Sequence, residues 1–457
     1  GRIAIGNTSG AALADTLMLG ADFFNKGFAR YALIGNHDLA VAEGAQIDVR
    51  MPLARFGTYA QDAAIGSQPS DALELWTPPL YQEDAVKALL TQRKGASLSL
   101  QAGTAGTSAD ELQAVQAVIG KGAVLSVDPG QSIDVRSVGQ LRMDGALHAW
   151  GGSVSLGNLA AAGSETDKAV GHGRSIWIGD EALIDVASRA VSALDNRGRS
   201  YGQVRDGGTI IIGGGIDPES GIASAGDLFV VVREGARLEA SGAHAALDIP
   251  GQGRVQVASN GGSISLASNN GLYLDGSFTA RAGGAGAAGG NLSVALESPY
   301  YIRTSVTDRV TKVRELQLGQ VRQGSMLADT ADAAAASLEY GHGRLGVDQV
   351  SAGGFDNLAL LSNGLLSFDG DVALNMGQSL RLYSGAFNLS ETAAINSRVR
   401  LSAPHLLLAG ILAAPEPNRD PWLRPVLEVP TMSQRETEAV FEASGNLIDV
   451  RGNVLFG

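Results

Sequence analysis

The chain has 457 residues, of which 61 are glycine, 14 proline, and only 5% aromatic and 18% charged. Glycine at about 13%, without matching proline, excludes a collagen-like or Pro-rich disordered chain, and a 44% hydrophobic fraction is enough for a core. A net charge of −13 argues against non-specific nucleic-acid binding, and the absence of cysteine removes disulfides, thiolate metal sites and thiol nucleophiles.

The dominant pattern along the chain is alternation over short runs closed by glycine, Asn-Gly or Asp-Gly. It opens at Arg2-Ile3-Ala4-Ile5 and returns at Ala96-Ser97-Leu98-Ser99-Leu100-Gln101-Ala102. Ser153-Val154-Ser155-Leu156, Ser263-Ile264-Ser265-Leu266 and Leu380-Arg381-Leu382 repeat it. A period of two over four to seven residues is the signature of a half-buried strand. Helical periodicity is rare. Glu83 to Arg93 fits a short helix, with Met326 to Tyr340 and Gln434 to Ala443 as weaker cases.

The strands belong to self-similar units. Leu141-Arg142-Met143-Asp144-Gly145 returns as Leu272-Tyr273-Leu274-Asp275-Gly276, 131 residues on, and as Leu366-Ser367-Phe368-Asp369-Gly370, a further 94 on. Gly27-Phe28-Ala29-Arg30-Tyr31-Ala32-Leu33-Ile34-Gly35-Asn36 pairs with Gly354-Phe355-Asp356-Asn357-Leu358-Ala359-Leu360-Leu361-Ser362-Asn363. Gly-x-Gly-Arg precedes a strand pattern at Gly171, Gly251 and Gly341. Uneven spacing implies a degenerate repeat with insertions, built on coils of roughly 20 residues. Each coil would add short strands to a parallel stack around an aliphatic interior, with glycine at the corners.

The expected fold is all-β: a right-handed parallel β-helix (β-solenoid) with loop and short-helix insertions. Coils are expected over 1–66, an insertion with a short helix over 67–94, and coils over 95–305 with insertions near 160–173 and 188–205. An insertion over 306–340, coils over 341–413, an insertion or excursion over 414–443, and a strand over 444–457 complete the division. Because the first and last residues fall within strand patterns, the sequence is expected to be a piece of a longer polypeptide.

The units Gly-Phe-x-x-Leu-Ala-Leu-Leu-Ser-Asn and Leu-x-apolar-Asp-Gly, from Gly27 to about Leu412, resemble the filamentous haemagglutinin family, the large exoproteins of bacterial two-partner secretion. The resemblance rests on repeat texture. It implies a right-handed parallel β-helix, export through a dedicated outer-membrane transporter, and a secreted location at the bacterial cell surface. It implies the structural or adhesive shaft of an adhesin, or the stalk of a toxin-delivering contact-dependent inhibition exoprotein, recognising a host or bacterial surface receptor or glycan. The long insertions depart from the family's most regular arrays, and its amino-terminal secretion domain is not recognisable.

Chemical motifs are sparse. Gly35-Asn36-His37-Asp38 matches one block of a metallophosphoesterase signature, but no Asp-x-His or Gly-His-x-His block accompanies it, so it reads as a turn. Gly341-His342-Gly343-Arg344-Leu345-Gly346 fits the dinucleotide fingerprint by letter, yet a strand is expected to follow rather than a helix, making it a corner. Asp217, Glu219 and Asp227 read as solvated loop carboxylates rather than calcium ligands, and Asp144, Asp275 and Asp369 as turn formers bonding nearby amides. Trp76, Trp150, Trp177 and Trp422 are expected to pack in the core or the insertions rather than stack on sugars. No catalytic, metal or cofactor residue is assigned, no cofactor is expected, and the chain is read as a non-enzyme without nucleic-acid partner or membrane-spanning helix. The enzymatic alternative is a polysaccharide lyase or glycoside hydrolase on the same β-helix, which would need converging carboxylates.

Overall fold

Three parallel ladders, the third interrupted by a helix, together form a parallel β-helix in the computed structural model. It describes residues 1–6, 14–58, 60–62, 64–68, 72–107, 111, 114–159, 174–217, 221, 223–226, 228–297, 313–410 and 436–457. A simple coil passes through Ser132–Ser137 in ladder A, Gln140–Met143 in ladder B and Ala146–His148 in ladder C. It returns to ladder A at Ser153–Asn158, where Ser132 pairs with Ser153, 21 residues on. Ladder A joins eleven strands, from Arg30–Gly35 to Leu447–Arg451.

Register gives the core its order. Leu98, Ile133, Val154, Ile210, Ile264, Leu292, Leu358, Leu380 and Leu406 are successive partners in ladder A, each at most 1% exposed. A one-residue slip would turn this entire column outward. Each such side chain contributes about 1.5–3 kcal/mol of burial, so the column alone fixes the stacking register. The core's low aromatic content follows from the strand spacing: aliphatic side chains stack between adjacent coils without forcing them apart.

The C-to-A corner is drawn tight by paired glycines. Gly151-Gly152, Gly207-Gly208, Gly261-Gly262 and Gly289-Gly290 each precede a ladder A strand. A Cβ on Gly208 would lie 2.2 Å from the carbonyl oxygen of Gly152, one on Gly262 1.9 Å from that of Gly208, and one on Gly290 2.2 Å from that of Gly262. Those same carbonyls accept from the amides of Thr209, Ser263 and Asn291, each at 2.9 Å. Side chains are therefore excluded by the hydrogen bonds that join one coil to the next.

The coils are interrupted by antiparallel hairpins. Leu53–Phe56 pairs with Leu73–Trp76, and Tyr81–Asp84 with Leu89–Gln92. Val191–Leu194 pairs with Ser200–Gln203, and His244–Ile249 with Gly253–Ala258, all leaving the C-to-A corner. Several expectations are corrected here. The coils expected over 1–66 give way earlier, since Leu53–Phe56 belongs to an excursion. The helix expected over Glu83 to Arg93 is a hairpin whose turn is fixed by Asp84 Oδ1 accepting from the amides of Val86 and Lys87. Val440–Ser444 is a strand in ladder C, whereas helix was the weaker expectation for Gln434 to Ala443. The expected insertions 160–173 and most of 414–443, with Trp422, His172 and the Gly171 motif, lie outside the described residues.

The first insertion is anchored by a buried ion cluster. Asp128, fully buried, accepts from Arg93 through both oxygens (2.6 and 2.9 Å) and from Arg50 at 2.8 Å. Arg50 follows the ladder C strand Gln46–Val49, and Arg93 closes the excursion, so the cluster pins both ends of the excursion to one coil.

The expected insertion 306–340 contains a strand of the helix itself. Glu315–Gly319 lies in ladder B, and chain order and spatial order part company there. The later strand His342–Gly346 sits between Gly271–Leu274 and the earlier Glu315–Gly319. Arg2–Ile5 likewise lies between Thr16–Leu19 and Leu39–Val41. After His342–Gly346 the helix Val347–Gly353 takes a place in ladder C, packed between Ser277–Thr279 and Val372–Asn375. Its Gln349 Nε2 donates to the carbonyls of Leu274 and Gly276, completing the coil edge. No helix among the described residues is long and apolar enough to cross a membrane.

Candidate ligand-binding groove

Outward side chains of ladder A form columns, as the inward ones do. Thr209, Ser263, Asn291, Asn357 and Ser379 pair in succession to make one column. Ile211, Ser265, Ser293, Ala359 and Arg381 make the next. The third outward position is closed off: Ala267, Ala295 and Leu361 are buried beneath Ile216, Ala223 and Ala225 of the hairpin Gly214–Ile216/Ala223–Ala225. The hairpin therefore makes a wall and the first two columns a floor. The result is a groove of about 650 Å³ parallel to the axis. It crosses five coils, or four spacings of about 4.8 Å, roughly 19 Å in all.

The floor is pre-arranged by side-chain hydrogen bonds between coils. Asn291 Nδ2 donates to Ser263 Oγ at 3.0 Å, and Ser265 and Ser293 share a bond of 2.5 Å. Ser379 Oγ donates to Asn357 Oδ1 at 2.6 Å, while Asn357 Nδ2 donates to Gln378 at 3.1 Å. Amides and hydroxyls each carry more donor and acceptor positions than these bonds use. Charge at the groove is balanced, with Arg381 on the floor and Asp217 on the wall. Tyr383 closes one end, packed against the backbone of Gly221. Burial raises its phenol above the ordinary tyrosine value, against the pull of Arg381 and Arg451, so it holds its proton as a donor at neutral pH.

A smaller pocket of about 110 Å³ lies over ladder B, where the 320–326 segment crosses it. Its polar groups hold that segment in place. Arg322 donates to Glu234 at 2.8 Å and to the Asp275 carbonyl, and Arg344 donates to Gln317 at 2.7 Å. Next to it the same insertion buries a second apolar cluster against the outer face of ladder B, where Trp177, Phe229 and Tyr273 pack under Leu327, Leu338 and Tyr340.

The candidate motifs fall into place individually. Gly35-Asn36-His37-Asp38 is the A-to-B corner of the first coil. His37 Nδ1 lies 2.9 Å from Asp38 without a hydrogen bond, and Asp38 accepts from Arg2 and from the Gln116 amide, each at 2.9 Å. The fingerprint-like residues 342–346 are themselves a strand, and a seven-residue helix follows them, so the corner expected there is corrected. The strand lies inside the motif rather than before it, and Gln349 Oε1 accepts from the Gly346 amide at the helix start.

Asp275 and Asp369 do not bond nearby amides. Asp275 accepts from the amide and hydroxyl of Ser325, and Asp369 from Ser390 and Thr392 at 2.7 and 3.1 Å, so both link distant segments. Asp144 is half-buried, and desolvation raises its carboxyl above the usual range. Trp177 is buried, Trp150 donates to Asp185 at 3.0 Å, and Trp76 stacks under Arg55. Asp217 lines the groove, whereas Glu219 and Asp227 lie outside the described residues. Among the described residues no three metal-ligating side chains converge.

Sequence reading missed the groove. Its signal was available in the outward Ser, Thr and Asn of successive strands, but the hairpin wall and the register that aligns the columns are both non-local. Comparisons with protein-family models, with curated proteins and with solved structures return no match for this chain.

Proposed function

We propose that the chain is a structural and adhesive shaft segment of a secreted bacterial surface exoprotein of filamentous haemagglutinin type. The observation that carries this reading is the continuous eleven-strand ladder, which stacks outward columns and corner hairpins over one aliphatic core. Such a rod displays surface along its length and needs no deep active site. The resemblance in the Gly27 and Gly354 units, together with the absence of cysteine in a chain that would cross an oxidising compartment unfolded, supports export by a partner transporter.

Binding is favoured over cleavage by the groove's chemistry. Hydrolysis of a glycosidic bond by the usual route takes two opposed carboxylates, and the described residues lining the groove supply only Asp217. The test is surface labelling of the source bacterium with and without its outer-membrane two-partner transporter. Surface signal and adhesion that disappear with the transporter are expected, and unchanged display without it overturns the export reading. Product release from plant or bacterial polysaccharides, abolished by one carboxylate substitution, either Asp217→Asn in the groove or Asp144→Asn in the cleft that Glu43, Asp144, Asp180 and Glu181 line, would overturn the non-enzymatic one.

A further inference from the structure

We propose that the ladder A groove binds a neutral, extended oligosaccharide of about four sugar units lying parallel to the helix axis. The proposal deepens the adhesive reading and rests on it for the purpose of binding, not for the route of export.

Three observations carry it. First, the floor is a sheet face, not a sheet edge. Its backbone donors and acceptors are already used in ladder pairing, so an extended peptide could not add to it as a strand. What the floor offers instead is a column of hydroxyls and carboxamides from Ser263, Asn291, Asn357 and Ser379, repeating about every 4.8 Å along the axis. That repeat is close to the advance of one unit in an extended sugar chain. Sugar hydroxyls, like these side chains, both donate and accept, and each floor residue keeps capacity after bonding its neighbour.

Second, the adjoining column is mixed, with Ile211 and Ala359 beside Ser265 and Ser293. A pyranose ring presents a C–H face as well as hydroxyl edges and meets both kinds of surface. Third, the groove's charges are one Arg381 and one Asp217, so a polyanion or polycation would find one repelling group for each attracting one. Floor hydrogen bonds hold the side chains before any ligand arrives, which lowers the ordering cost of binding.

The experiment is calorimetric titration of the whole chain with gluco-, xylo- and manno-oligosaccharides of two to six units, and with oligogalacturonate of matching lengths. Ser293→Trp, which places an indole in the middle of the floor, is the blocking variant. Ser99→Trp, on the outward face of a ladder A strand outside the groove, is the control. Both are checked for an unchanged circular dichroism spectrum and melt. Should Ser293→Trp fail to fold, Asn357→Ala and Tyr383→Phe replace it, since they remove donors without adding volume.

Expected is binding by at least one neutral series, rising in affinity up to about four units and then level, weakened at least tenfold by the groove variant and unchanged by the control. The proposal is overturned if no neutral series binds below millimolar dissociation constants, if the groove variant binds like the control, or if oligogalacturonate binds more tightly than every neutral series. None of these results touches export. Conversely, groove binding with adhesion unchanged in the blocking variant would leave this proposal standing and separate the groove from adhesion.

Discussion

Replacing Gly208 with alanine tests the logic of the coil corner. The added Cβ would sit 2.2 Å from the Gly152 carbonyl oxygen and 2.9 Å from both the Cβ and the carbonyl oxygen of Val186. None of these atoms is the end of a flexible side chain, so relief requires adjacent coils to separate by about 1 Å. That separation strains the Thr209 amide bond to Gly152 and the Gly208 amide bond to Val186, now 2.9 and 2.8 Å. Overpacking costs about 1–3 kcal/mol. Each weakened hydrogen bond adds about 1 kcal/mol, so a loss of about 3–5 kcal/mol is expected.

The comparison is Gly251→Ala. Gly251 has a positive φ of 81° but open space around its Cβ position, and its cost should be that of the left-handed conformation alone, about 1–2 kcal/mol. Urea denaturation gives the totals, and hydrogen exchange gives the location. Faster exchange in Ser153–Asn158 and Thr209–Ile212, with distant coils unchanged, is expected because each coil contacts mainly its neighbours. Equal destabilisation by the two variants, or exchange raised evenly along the rod, would refute the close-approach argument.

Asp128→Ala, which leaves the buried Arg93 without its carboxylate while Arg50 keeps Asp48, should cost about 3–5 kcal/mol and expose residues 77–92 to protease, whereas the joint change Asp128→Leu with Arg93→Met should restore much of the loss. Asp144→Asn should stabilise the protein at neutral pH. Burial raises this carboxyl in the folded state, so its ionisation opposes folding above that raised value, and the gain should vanish below about pH 4, where both states are protonated. Asp185 is opposite in sign. Burial pushes it up, but His148, Arg189, the Ala187 amide and the Trp150 indole together hold it below the usual range. Its contribution is present above about pH 4 and lost as pH falls through the depressed folded value, so Asp185→Asn should flatten the acid limb of a urea-midpoint profile. Trp177→Ala should cost about 3–5 kcal/mol and speed exchange in 326–340 while the inner core stays protected, because the cluster it anchors lies outside the helix.

The architecture was legible because its signal is local: alternation selects strands, and the near-20-residue beat from Ser132 to Ser153 sets the coil. The excursions were less legible. Glu83 to Arg93 carries apolar residues at helical spacing, yet Asp84 capping the Val86 and Lys87 amides and a positive φ at Ala88 turn it into a hairpin. Gly207-Gly208 and Gly261-Gly262 repeat the doublets at Gly151 and Gly289, and aligning all four would have fixed four ladder A strands at once. Glu315–Gly319 was hidden by composition, because it reads as one strand in a polar stretch whose partners lie at 342–346 and 365–369. The groove required knowledge of which distant strands become neighbours, and sequence period alone does not carry that.

The inverted placement of His342–Gly346 bears on how the rod responds to load. If the polypeptide is drawn off from its carboxyl side, each ordinary ladder B strand detaches from one remaining neighbour. His342–Gly346 is clasped on both sides, by Gly271–Leu274 and by Glu315–Gly319, and releasing it breaks two seams at once. Unspooling should therefore stall there, and the coils before it are shielded from tension by a built-in ratchet stop.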